Sequence, residues 1–179
     1  MRLPIFLTGF MACGKSTLGR AVARREGLRF VDLDDAVCAT AGLPSVSAVF
    51  AEHGEEAFRQ LESEVLRRVA GEADIVACGG GTFCRPDNAA FMLAAGTVVW
   101  LQADTDVTVA RLRLQRGQRP LVDALLDNPE ALRNRVEEMQ AKRREAYARA
   151  PHTFDSSRLE SLEQIEATAE AFTNEFLRP

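Results

Sequence analysis

Apolar residues follow two alternating rhythms along this chain. Short β-rich runs alternate with longer stretches whose apolar positions recur every three or four residues. Residues 2–8 (RLPIFLT) form the first run, stopped by Gly9. Lys15–Glu26 then has a helical period, with Leu18, Val22 and the alanines on one side. Residues 30–33 predict a second short strand ending in carboxylates. Val46–Ala70 is helical in period, and Gly54 predicts a break into two helices. Residues 75–78 predict a third strand that runs into Gly79, Gly80 and Gly81. A short helix over 88–95 is closed by Gly96. Residues 97–101 (TVVWL) are apolar at consecutive positions, as in a strand covered on both faces. Thr105–Leu114 is helical, followed by a polar, arginine-rich stretch to Pro120. Residues 129–150 predict a long helix with a basic face, 152–154 a fifth strand and 159–176 a closing helix.

Strand–helix alternation throughout predicts a three-layer α/β fold, a parallel sheet with helices on both faces. Strand twist makes the crossovers right-handed. No repeat and no Pro/Gly/Ser-rich linker divides the 179 residues, so one domain over 1–179 is expected. A chain of that length buries about 70% of its unfolded surface. The net charge of −4 disfavours nucleic acid as a partner, since phosphate backbones attract net or patched positive charge. Apolar runs fall short of the roughly 20 residues a membrane helix needs. The start lacks the plan of a secretory signal, so a cytoplasmic protein is expected. Cys13, Cys38, Cys78 and Cys84 show no C-x-x-C spacing and read as free thiols. A monomer is expected, because no long heptad pattern or apolar patch is readable.

The run Gly9-Phe10-Met11-Ala12-Cys13-Gly14-Lys15-Ser16 fits G-x-x-x-x-G-K-[ST], with a strand before it and a helix after. Four such fixed positions coincide by chance in roughly one chain in a hundred. Glycines let backbone N–H groups approach phosphate oxygens, and the helix N-terminus adds partial positive charge. Lys15 supplies a point charge for the terminal phosphates, and the Ser16 hydroxyl a hard oxygen for Mg2+. ATP or GTP binding over Gly9, Ala12, Cys13, Gly14, Lys15, Ser16 and Thr17 is expected.

The second strand ends in Asp32-Leu33-Asp34-Asp35. Ligands of open parallel sheets bind beyond the carboxyl ends of the strands. On an extended backbone Asp32 and Asp34 face the same side. One carboxylate then suits Mg2+ through water, and the other suits the attacking hydroxyl of a phosphoryl acceptor. The plainer alternative is a helix N-cap cluster, which is where Asp35 is placed.

These residues, in this order and spacing, resemble the shikimate kinase family of nucleoside-monophosphate-kinase-like P-loop proteins. The resemblance covers nearly the whole chain. It includes the phosphate loop, the D-x-D and residues 50–62, similar to the family's GE-x-x-FR-x-x-E segment. It also includes the three glycines, Arg119-Pro120-Leu121 and Arg143 four residues before Tyr147. It implies a five-stranded parallel sheet in the order 2-3-1-4-5, a substrate-binding subdomain at about 34–62 and a mobile lid at about 113–126. It implies transfer of phosphate from ATP to the 3-hydroxyl of shikimate, a step toward chorismate and the aromatic amino acids. By position it assigns shikimate binding to Asp34, Arg59, Gly79, Gly80, Gly81 and Arg143, and closure over the phosphates to Arg119. The residue chemistry agrees. A carboxylate substrate suits the two parallel donors of arginine, and Glu62, at i+3, is placed to orient Arg59.

The chain also departs from the family's pattern. Ala12 stands where glycine is frequent, harmless there only if its φ is negative. Cys13 is unusual in the loop. Thr82-Phe83 replaces the usual Ala-Val after the glycines, and Glu145 a proline. The adenine site is open among Arg111, Arg113 and Arg158. Two other readings keep the fold: a kinase for another small hydroxy acid such as gluconate, and a catalytically silent nucleotide-binding module.

Overall fold

A computed structural model describes residues 3–115 and 120–178. Five parallel strands form its sheet: β1 (Ile5–Thr8), β2 (Phe30–Asp32), β3 (Ile75–Ala77), β4 (Thr97–Gln102) and β5 (His152–Asp155), in the order β2-β3-β1-β4-β5. β1 is central, with Ile5 opposite both Ile75 and Thr97. That is the order the family resemblance implies.

Alternation along the strands divides the core in two. Phe6, Val76 and Val98 point to one face. There they meet α2 (Leu33–Ala41), α3 (Val46–Ala70), α4 (Pro86–Ala95) and α7 (Pro129–Tyr147), through Val37, Leu66, Met92 and Val136. Ile5, Leu7, Ile75, Val99 and Leu101 point to the other face. They pack under α1 (Lys15–Glu26) and α8 (Leu162–Phe176), through Leu18, Val22 and Phe172. Truncating a buried ring such as Phe6 costs about 3–5 kcal/mol at a site of this kind. Among the described residues, α5 (Thr105–Leu114), the short α6 (Pro120–Asp123) and a single 3-10 turn at Thr82–Cys84 complete the helices.

Local chemistry explains several boundaries. α1 spans the expected residues and starts at Gly14, held at φ 97. α3 is kinked at Gly54 (φ 79, ψ 170), as its sequence predicts. Ser45, Asn128 and Ser161 cap α3, α7 and α8 with side-chain oxygens. The closing helix begins at Leu162 rather than 159, because Ser161 supplies its cap.

One expectation is corrected here. Asp32 and Asp34 do not share an extended strand. β2 ends at Asp32, whose carboxylate caps α2 by accepting from the Asp34 N–H at 3.1 Å. Asp34 and Asp35 lie in the first helical turn, where carboxylates interact favourably with the helix dipole.

Candidate active site

The phosphate loop, the end of β2 and the glycine turn after β3 enclose a cavity of about 270 Å3. Ala12, Gly14, Lys15, Ser16, Thr17, Asp32, Asp34, Gly79 and Gly80 line it. All three strand ends lie at the carboxyl edge of the sheet. Leu18 and Val22 of α1 pack with Leu7 of β1, which sets the helix that follows the loop against that part of the sheet.

Lys15 folds back over its own loop. Its Nζ donates to the carbonyls of Gly9 (3.0 Å) and Phe10 (2.8 Å). Engaging a phosphate requires exchanging those bonds for stronger charge-assisted ones. Ser16 Oγ donates to Asp32 Oδ2 at 2.5 Å. Two hard oxygens so close suit a hard divalent cation, which needs only one or two protein ligands beside water and phosphate. The Cys13 thiol is buried, and its Sγ accepts from Lys15 Nζ at 3.7 Å. The Cys13 carbonyl accepts from buried Ser156 Oγ at 2.6 Å, which ties the loop to the chain after β5. Ala12 has φ 57, so the harmless negative-φ case does not hold.

Two arginines reach the glycine turn whose Gly79 and Gly80 border the cavity, although neither arginine lines the cavity itself. Arg143 NH1 donates to the Gly80 carbonyl at 3.2 Å. A Cβ added at Gly80 meets Arg143 NH1 at 3.0 Å, and one added at Gly81 meets Arg59 NH1 at 3.1 Å. The two guanidiniums therefore stand against successive glycines, where a methyl group would push each arginine tip back by a few tenths of an ångström. Asp34 Oδ1 lies 2.8 Å from a Cβ position at Gly79, so the turn also brings this carboxylate in.

Arg59 is held from behind. Its NH1 donates to Glu62 Oε2 at 3.0 Å, and Glu62 is buried. Glu62 Oε1 accepts from Thr82 Oγ1 at 2.7 Å. The Arg59 guanidinium sits over the Phe58 ring at 5.1 Å and near the Phe50 ring at 5.8 Å. The expected pairing of Arg59 with Glu62 is present, and Thr82 joins it.

Tyr147 was legible only as a spacing. Its hydroxyl donates to Gly80 O at 2.6 Å, beside Arg143. Positions i and i+4 share a helix face, which is the signal that links the two. Burial pushes the Tyr147 phenol well above its usual range. Burial likewise raises the thiol of Cys78, at the end of β3, with Glu62 adding to the effect.

Of the three arginines open for the adenine site, Arg111 lines the cavity with Gln115 and Leu159. Its NH2 donates to the carbonyls of Ser156 and Ser157 and to Glu160. Arg113 is exposed. Arg158 is exposed too, and it does not line the cavity; its carbonyl accepts from Thr168. Arg119 lies outside the described residues. The larger cavity, about 510 Å3 between α5, α7 and the ends of β4 and β5, holds none of the expected residues except Cys13.

Comparison with known proteins agrees with this geometry. A family model described as shikimate kinase matches residues 11–174. A shikimate kinase of Salinibacter ruber is 43% identical over 86% of this chain and 77% of its own length. One of Phocaeicola vulgatus is 39% identical over 93% and 94%. The crystal structure of shikimate kinase from Bacteroides thetaiotaomicron superposes with a TM-score of 0.89 at 35% identity, covering 99% of each chain. That of Acinetobacter baumannii, in complex with shikimate, superposes with a TM-score of 0.82 at 25% identity, covering 99% of this chain and 94% of its own. With its phosphate loop, five-stranded sheet and arginine-flanked glycine turn, the chain belongs to the shikimate kinase family.

Proposed function

We propose that this protein transfers the γ-phosphoryl group of ATP to the 3-hydroxyl of shikimate. The observation that carries this reading is the meeting of Arg59 and Arg143 at Gly80 and Gly81, beside the phosphate loop. Two fork-shaped cations at the glycine turn that borders the cavity suit the carboxylate of a small acid. The phosphate loop, which lines the cavity, suits a nucleoside triphosphate.

Each residue then has a task. Gly9, Ala12, Cys13, Gly14, Lys15, Ser16 and Thr17 wrap the phosphates. Arg158, in the loop after β5, and Arg111, which lines the cavity, are the arginines proposed for the base side. Arg59 and Arg143 orient the substrate carboxylate across Gly79, Gly80 and Gly81. Asp34 accepts the hydrogen bond of the attacking hydroxyl and takes its proton as the new O–P bond forms and the bond from the γ-phosphorus to the departing ADP oxygen breaks. Lys15 holds the charge that develops on the moving phosphoryl. Arg119 is proposed to add to it, on the resemblance alone. Ser16 and Asp32 would hold Mg2+, which neutralises phosphate charge when bound. Phosphoryl transfer of this kind depends on positioning more than on base strength.

Among the described residues, the large exposed apolar side chains, Leu3, Leu93, Leu114 and Leu162, lie at separate points of the chain. This supports a monomer. No helix among the described residues is long and apolar enough to cross a membrane, and a cytoplasmic location is proposed with the activity.

The test is an assay of ADP release with Mg·ATP and a panel of shikimate, quinate, gluconate and a nucleoside monophosphate. Turnover with shikimate far above the others is expected. Preferred turnover of another acid keeps the chemistry and overturns the substrate. Absence of turnover with any, despite ATP binding, overturns the activity.

A further inference from the structure

Thr82 is the first residue of the single-turn helix Thr82–Cys84, directly after the three glycines. Its side chain is buried and its hydroxyl donates to Glu62 Oε1 at 2.7 Å. The Thr82 N–H is bonded to Gly79 O at 3.1 Å, so the hydroxyl is placed by the turn itself. Glu62 is a fully buried carboxylate with one donor on each oxygen: Thr82 on Oε1 and Arg59 NH1 on Oε2.

The division of that carboxylate matters for Arg59. A buried carboxylate deprived of one donor seeks another, because an unsatisfied buried charge is costly. Arg59 is the nearest strong donor, and arginine and carboxylate readily pair through two parallel bonds. Such a pairing would turn both guanidinium nitrogens toward Glu62. As it stands, NH1 and NH2 both lie close to Gly81, at 3.1 and 3.2 Å from its Cβ position. The fork therefore faces the glycine turn.

We propose that Thr82 is a positioning residue. By occupying one oxygen of Glu62, it limits Glu62 to a single bond with Arg59 and keeps Arg59 NH2, which meets the exposed Glu55 at 3.6 Å, turned toward the glycines, where an anionic substrate can displace that surface pair. This rests on the reading that Arg59 binds the shikimate carboxylate. It is a property of this chain's own threonine, since an alanine at this position carries no hydroxyl.

The experiment compares wild-type protein with Thr82→Val, Thr82→Ser and Thr82→Ala. Each is measured for KM of shikimate, KM of ATP, kcat and Tm, with a crystal structure of Thr82→Val. Loss of the hydroxyl is expected to raise KM for shikimate about tenfold, with KM for ATP unchanged and kcat within about twofold. Thr82→Ser, which keeps the hydroxyl, is expected to restore KM. The crystal structure is expected to show Arg59 and Glu62 paired through two bonds. Where Thr82→Val does not fold, Thr82→Ala carries the same expectation. An unmoved KM for shikimate, equal impairment in Thr82→Ser, or a joint loss in both substrates and Tm overturns the proposal. Wild-type protein that neither binds nor phosphorylates shikimate overturns the substrate reading, and the proposal with it.

Discussion

The hydroxyl of Ser16 and the carboxylate of Asp32 stand 2.5 Å apart, although sixteen residues of chain separate them. Ser16 opens the second position of α1, and Asp32 closes β2. The contact joins the phosphate loop to the strand that starts the acceptor side. It also gives Asp32 two duties, since the same carboxylate caps α2.

Those duties are separable. Asparagine caps helices about as well as aspartate, but it lacks the charge that a cation requires. Asp32→Asn is expected to leave Tm within about 2 °C and to weaken the apparent Mg2+ affinity about 10- to 100-fold. Titration of Mg2+ at fixed ATP in the ADP-release assay measures this. An unchanged requirement for Mg2+ contradicts the assignment.

Asp34 tests the acceptor side. It lies in the first turn of α2, against Gly79 and within the cavity. Asp34→Asn is expected to lower kcat by about 100-fold or more, with ATP affinity changed less than about threefold. Near-normal turnover would remove Asp34 from its role.

Ala12 holds a left-handed backbone at φ 57. That conformation costs a residue with a Cβ about 1–2 kcal/mol, while glycine loses about 0.4–1 kcal/mol through a freer unfolded chain. The strain outweighs the entropy. Ala12→Gly is expected to stabilise the protein by about 0.5–1 kcal/mol, a rise in Tm of about 1–4 °C. A fall in Tm on thermal unfolding contradicts this account of the loop.

Tyr147 is the single tyrosine of the chain, so phenolate absorbance reports on it alone. Burial raises its pKa in the folded state. The folded state then holds this proton more tightly than the unfolded state. The stabilisation is complete below the ordinary tyrosine value near about pH 10 and is lost as pH rises toward the folded value. Wild-type protein is therefore expected to lose stability above about pH 10 more steeply than Tyr147→Phe in urea unfolding. Phenolate that appears in the native protein well before unfolding would show the phenol to be accessible.

The chain's own pattern determined much of this protein. β1 and α1 follow from an apolar run, a glycine and an amphipathic period, and those signals are local. The kink at Gly54 and the loop from Gly9 to Ser16 are legible for the same reason. The pairing of Arg59 with Glu62 is legible because three residues of helix fix their distance. The tertiary structure alone decided the rest. Asp34 reads as a strand residue by spacing, but Asp32 caps a helix there and ends the strand early. Arg158 and Arg111 look alike as arginines near the base; α5 carries only Arg111 to the cavity wall. Thr82 reads as a change of pocket wall, yet its hydroxyl meets a carboxylate twenty residues away. Helical and strand periods set which face a residue takes. They do not set which distant group that face will meet, because this depends on how β3 and α3 pack across the sheet.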